Sequence, residues 1–253
     1  MSLEGGKLDE PPAHGGKEHL PGSDGKLWFP PACVIGPRWF LLLSATLLAG
    51  CAALFIDIPV SRLLVQDKKL RALHDFLGDI EPFGRWAAIV FFAIAMFLCN
   101  PRRRVLVPRL LACSLGSGLA ANLVKLLVLR ARPKHHDLTE SIWSSFQGLF
   151  PGTGGGSPLQ SCPSAHTATA VGFALALSAL YPAGARLFYT AAALVALQRI
   201  ETGAHFVSDA LWGTAVAVAM GGLVFRPDRL GSWFNRKERE RWRRCPSGDE
   251  VAH

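Results

Sequence analysis

Six apolar stretches punctuate this chain, at roughly Trp39 to Val60, Phe83 to Cys99, Val105 to Leu129, Thr167 to Tyr181, Leu187 to Leu197 and Ala210 to Phe225. A backbone in hydrocarbon must satisfy its own amides and carbonyls, so segments of this kind form helices. A span needs about 20 mostly apolar residues, within a range of about 17 to 25. The first, third and sixth stretches meet that length unaided. The other three meet it by taking in flanking residues that face protein or the interface. The expected fold is all-α, a bundle of six transmembrane helices over residues 36–226, between a flexible cytoplasmic tail at 1–35 and a basic cytoplasmic tail at 227–253.

Composition agrees with a bilayer protein, since half of the 253 residues are hydrophobic and the mean hydropathy is positive. The net charge of +8 would suit nucleic acid if it formed a stripe through a polar domain. Here the basic residues cluster beside apolar segments, which points to anionic lipid and away from nucleic acid. Cysteines 33, 51, 99, 113, 162 and 245 show no CxxC pairing, and this argues against a disulfide framework or a structural zinc site. The acids, glycines and prolines of the first residues are unlike a cleavable secretory signal.

Orientation follows from lysine and arginine in short flanks. Arg102, Arg103, Arg104 and Arg109 around the start of the third stretch, and the tail from Arg226 to Arg244, place both on the cytoplasmic side of the cell membrane. Six spans return the amino terminus to that side, with Lys26 and Arg38 in agreement. The first external connection, with Arg62, Lys68, Lys69 and Arg71 diluted by Asp67, Asp75, Asp79 and Glu81, reads as an amphipathic interfacial helix. The longest external connection, Arg130 to His166, carries Trp143, Phe146 and Phe150 ahead of GLFPGTGGGSP. It reads equally as a mobile lid with aromatic anchors and as a disordered loop with interface-seeking rings.

Under this topology three polar patches emerge together on the outer face, periplasmic or exterior. In KLLVLRARP, Lys125 and Arg132 are seven residues apart and would share a face of a continuous helix, which Pro133 would terminate. Arg130 lies off that face and reads as a headgroup contact. In PSAH, Ser164 can cap a helix whose free amides suit phosphate, with His166 in its first turn as a proton donor. In RIETGAHFVSD, His205 and Asp209 are four apart, so the carboxylate can hold one imidazole nitrogen while the other faces substrate. Arg199 can fork onto phosphoryl oxygens. Singly, each patch has an ordinary reading: a snorkelling lysine, a helix cap, a buried ion pair. The surrounding cations favour an anion over a metal among His166, His205 and Asp209.

The order and spacing resemble the type-2 phosphatidic acid phosphatase superfamily, with its signatures KxxxxxxRP, PSGH and SRxxxxxHxxxD. The match runs from Lys125 to Asp209, and the six-span layout is similar to bacterial integral-membrane lipid phosphatases. The chain departs from the pattern at Ala165, where the second signature has glycine, and at Gln198, where the third has serine. Alanine retains the backbone amide unless the turn demands a positive φ.

The resemblance implies that His205 attacks phosphorus to form a phosphohistidine, Asp209 orients it, and His166 protonates the leaving group and then activates water. Lys125, Arg132, Ser164, the Ala165 amide and Arg199 would hold the phosphoryl oxygens, with no metal or other cofactor. The family's lipid substrates include phosphatidylglycerophosphate, phosphatidic acid, polyprenyl diphosphates and lipid A phosphates. Three alternatives stay open: a lipid phosphotransferase, a vanadate-dependent haloperoxidase, and a non-catalytic protein that binds anionic lipid.

Overall fold

A computed structural model describes residues 38–66, 71–100, 103–149, 156–227 and 229–242. The expected tail at 1–35, Lys68, Lys69, Arg102, Phe150 and the cations beyond Trp242 lie outside the described residues. Eight α-helices run in chain order: α1 Arg38–Gln66, α2 Arg71–Ile80, α3 Trp86–Cys99, α4 Val107–Lys125, α5 Ala165–Leu180, α6 Ala185–Glu201, α7 Val207–Phe225 and α8 Arg229–Trp242. Each of the six apolar stretches overlaps one of them, the third also taking in the start of a strand.

Among the described residues three helical segments are long and apolar enough to cross a membrane: Trp39–Leu64, Arg103–Lys125 and Val207–Phe225. A fourth arises if His74–Gly84 and Trp86–Cys99, bent by 56°, act as one span. Ala165–Leu180 is apolar but shorter. Large apolar side chains such as Leu48, Phe55, Phe91 and Leu98 face outward, an arrangement that lipid tolerates and water does not.

Helix α5 sits centrally, packed on α4, α6 and α7, while α1 lies along α7. Small residues let these backbones approach. A Cβ on Gly172 would meet the Cys113 carbonyl of α4 at 2.6 Å, and one on Gly213 of α7 would meet the Ser164 carbonyl at 2.5 Å. Phe173 of α5 fills the middle of the core, with ring contacts to Phe83 at 5.0 Å and Phe92 at 5.5 Å.

The expectation of an all-α chain needs one correction. Val128–Arg130 and Phe146–Leu149 form a two-stranded antiparallel sheet, β1 and β2, with Val128 opposite Leu149. The helix that was expected to carry both Lys125 and Arg132 ends at Lys125, and Pro133 opens a short 3-10 turn instead of stopping a helix. The connection after β1 is therefore built structure as far as Leu149, neither a featureless loop nor a free lid over that length.

At the other end of α4, Arg109 is buried and donates to Glu238 at 2.9 Å and to Asn235 at 2.6 Å, docking α8 onto the bundle. Arg109 is thus part of a packed junction as well as of the basic cluster. Phe234 and Glu238 of α8 are buried, so 229–242, expected as a tail, is a packed helix.

Burial pushes the Glu238 carboxyl up to about 7 against the opposing pull of Arg109. The folded chain then holds a proton that the unfolded chain, with an ordinary glutamate, releases near 4.5. Stability attached to this group is complete below about 4.5 and falls as pH rises through about 7. Glu238→Gln should flatten that part of the stability profile; denaturant titrations in detergent at pH 4.5 and pH 8 check it, and an unchanged slope would exclude Glu238 as its source.

Candidate active site

The three polar patches come together because backbone hydrogen bonds join them in pairs. Ser161 N donates to the Arg130 carbonyl at 3.1 Å, Lys134 N to the Gly203 carbonyl at 3.1 Å, and Ser164 N to the Asp209 carbonyl at 3.0 Å. Gly203, at φ 63°, makes the left-handed turn that ends α6 and returns the chain toward α7. His205 N closes on the Arg199 carbonyl at 3.1 Å within the same turn.

Ser164 is the N-cap of α5, accepting from Thr167 N at 3.4 Å, and Ala165 is the first helical residue. That position takes ordinary helical geometry, so alanine in place of glycine keeps the amide without strain. His166 follows in the first turn. Gln198, buried, accepts from Arg199 Nε at 2.5 Å, so it fixes the neighbouring guanidinium.

His205 lies in the turn before α7, with its carboxylate partner on the first turn of that helix. Its Nδ1 is 2.7 Å from the Ser161 carbonyl. A carbonyl only accepts, so Nδ1 carries the hydrogen and Nε2 keeps its lone pair. Asp209 does not grip the ring directly as expected. Its Oδ2 is 3.9 Å from Nδ1, because that carboxylate is already occupied: Oδ2 accepts from Ser161 Oγ at 2.6 Å and Phe206 N at 2.9 Å, and Oδ1 from Arg130 at 2.5 Å. Asp209 is linked to the imidazole through Ser161, whose hydroxyl donates to the carboxylate and whose carbonyl meets the ring.

The largest departure from the sequence reading is Arg130. Expected at the headgroups, it is fully buried. One guanidinium nitrogen donates to Asp209 and to Ser208 Oγ at 2.7 Å, the other to Asp57 of α1 at 2.8 Å, and Nε to Ser145 Oγ at 3.2 Å. Phe206 and Phe146 stack within 4.4 and 4.5 Å of its centre. Asp57 in turn accepts from Ser208 N at 2.9 Å and from the Ser208 hydroxyl. A carboxylate inside an apolar run is a signal worth following, and it was available at Asp57; Ser161 carries none.

Lys125 and Arg132 converge on the same place by different routes, one from the end of α4 and one from the extended residue before the 3-10 turn. Burial first, then the charges of Lys125, Arg132 and Arg199, hold the His205 imidazole well below its ordinary range, so it is neutral. Among the described residues Lys125 makes no hydrogen bond and Arg132 Nε is buried without a partner. Arg199 pairs with Glu81 at 3.1 Å, and Glu81 is 4.0 Å from His166 Nε2. Glu81 begins the 3-10 turn Glu81–Gly84, whose Gly84 packs against the His166 carbonyl and Val195. No cluster of three or more metal-ligating side chains occurs among the described residues.

A neutral, tautomer-fixed imidazole thus stands among three cations beside a capped helix start, surroundings that favour an anion. Residues 105–229 match the family model described as PAP2 superfamily. All three polar patches lie within that match. It is similar to lipid A 1-phosphatases of Rhizobium johnstonii and Rhizobium etli, 34% identical to each over 121 residues, or 44% of this chain and 47% and 49% of theirs. The chain spans about half the length of these curated relatives. No solved structure gives a significant match.

Arg130→Ala should strand two buried carboxylates. The expected loss is about 3–5 kcal/mol, the scale for breaking a buried pair. Arg130→Lys should fail to restore activity because an ammonium cannot fork to both acids. Thermal unfolding in detergent and phosphate release by the two variants check this; a fully active, stable Arg130→Lys would show that the fork is dispensable.

Proposed function

We propose that the protein is a lipid phosphatase that hydrolyses a phosphoester or diphosphate at a membrane surface through a phosphohistidine, without a metal ion. The observation that carries this reading is His205: its Nδ1 hydrogen is committed to the Ser161 carbonyl, so its Nε2 lone pair is free among Lys125, Arg132 and Arg199.

In the first step Nε2 forms a bond to phosphorus as the bond to the leaving oxygen breaks, and His166 supplies the proton that oxygen takes up. The Nδ1 hydrogen stays in place, so the phosphorylated ring is cationic and a good leaving group. In the second step His166 removes a proton from water, oxygen bonds to phosphorus, the phosphorus–nitrogen bond breaks and inorganic phosphate leaves. Lys125, Arg132, Arg199, Ser164 and the Ala165 amide hold the equatorial oxygens, whose charge grows toward the transition state. Asp209 and Arg130 keep the nucleophile's geometry.

Architecture supports a membrane substrate. The reading includes six spans, both termini in the cytoplasm and the site opening to the periplasm or exterior. Arg109, in the basic cluster, and Lys125, at the site, are sixteen residues apart on α4, about 24 Å along the helix axis. The two ends of α4 therefore carry separate groups of cations. Similarity to the two lipid A 1-phosphatases makes the 1-phosphate of lipid A the first substrate to test, ahead of phosphatidylglycerophosphate, phosphatidic acid and polyprenyl diphosphates.

Phosphate release from this panel, without added acceptor, should proceed in the presence of chelator and be inhibited by vanadate. His205→Ala should abolish it while remaining extractable and folded. Truncating Arg132 or Arg199 should lower the rate by about 10²–10³, the scale for losing one donor to transition-state charge. Turnover by His205→Ala would eliminate the nucleophile, and a strict requirement for a lipid acceptor would convert the hydrolase into a transferase.

A further inference from the structure

We infer that an exposed apolar platform, made by the end of α4 and the β1–β2 hairpin, inserts into the acyl layer and holds a lipid's tail beside the phosphoryl site. The inference rests on the phosphatase reading for its consequence but not for its geometry. On α4, Leu119 and Leu123 are 62% and 57% exposed. They lie four residues apart, so they share one lipid-facing line. Leu126 and Leu127 continue that line past the helix end, still exposed.

The chain then enters β1, and Val128 stands opposite Leu149 across the hairpin. Leu149 is 69% exposed and Trp143 64% exposed. An apolar strip on a membrane-capable helix thus runs onto a segment that is not a span, with exposed Asn122 and Gln147 among its residues. Continuity with the lipid-facing side of α4 identifies the occupant as the acyl region of the same leaflet.

The platform is also fixed to the chemistry. Ala131 N donates to the Ser145 carbonyl at 2.8 Å, Arg130 Nε donates to Ser145 Oγ, and Arg130 stacks on Phe146. Trp143 is two residues from Ser145, and Arg132 is one from Ala131. A tail lying on Trp143 and Leu149 therefore belongs to a lipid whose headgroup is at the edge of the cation cluster. A tryptophan at this level suits the interface, being apolar in body and polar at the ring nitrogen.

Two measurements test this on the full-length protein. In vesicles of phosphatidylcholine, the part of the tryptophan emission that Trp143→Phe removes should be quenched when the acyl chains are brominated. A Trp143→Ser, Leu149→Ser double variant should raise KM for vesicle-borne phosphatidic acid about tenfold or more, because the acyl chain no longer has an apolar surface to cover. The same variant should leave hydrolysis of water-soluble phenyl phosphate unchanged. Both side chains are exposed, so the fold should tolerate the change.

Unquenched Trp143 emission overturns the inference, and if the protein also behaves as a dimer that the double variant dissociates, the face belongs to a second copy. Equal losses on both substrates overturn it too, making the residues structural. If wild-type protein releases phosphate from neither substrate, the phosphatase reading falls while the quenching result still decides the platform.

Discussion

The burial of the Arg130 guanidinium constrains everything around it. A cation removed from water costs several kcal/mol unless opposite charges and hydrogen bonds replace its hydration, and arginine cannot escape by losing its proton. Two carboxylates must therefore come to it. They come from the helices α1 and α7, carrying Asp57 and Asp209, while Ser145 and Ser208 take further donors. A planar fork accepts these partners only in fixed directions, so the pair of helices, the hairpin and the first turn of α7 are set against one another. Asp57 lies outside residues 105–229, the part matched to the family, and joins α1 to the domain's chemistry.

This arrangement also decides how His205, the proposed nucleophile, is held. The Asp209 oxygen nearer His205 already accepts from Ser161 and Phe206 N while the other accepts from Arg130, and the ring stays at 3.9 Å. The ring is oriented by a neutral carbonyl instead. A carboxylate in hydrogen-bond contact would favour the imidazolium, whereas a carbonyl at 2.7 Å fixes the tautomer with less opposition to the nearby cations. Orientation and neutrality, which a direct His–Asp pair would set against each other, are supplied by separate groups.

Sequence made the helices legible because hydrocarbon leaves so few backbone solutions. It made the grouping of Lys125, Arg132, Ser164, His166, Arg199, His205 and Asp209 legible because three spaced motifs fall at the ends of apolar runs. The path between Lys125 and Arg132 was not legible. A seven-residue spacing fits a helix as well as it fits a turn and a strand, and nothing between them is a glycine or proline. Arg130 and Asp57 were misread or passed over for a related reason: an isolated charge near an apolar run looks like a snorkelling side chain until its partner, 73 residues away, is in view. Glu81 and Ser161 depend on tertiary approach in the same way.

Charge balance at the candidate site gives Glu81 a separate standing. Lys125, Arg130, Arg132 and Arg199 face Asp57, Asp209 and Glu81. Asp57 and Asp209 are fully buried and accept three hydrogen bonds each, so neither can move without leaving one arm of the Arg130 fork unpaired. The Glu81 side chain is 23% exposed and holds Arg199 through one ion pair at 3.1 Å. A dianionic phosphoryl group offers Arg199 more charge than a carboxylate does, and water is within reach of Glu81 when it is displaced. The partly exposed pair is weakly held, whereas the buried pairs are not. Under the proposed function, Glu81 is the acid of the three that a phosphoryl group would displace, leaving Arg199 to follow the charge as it develops.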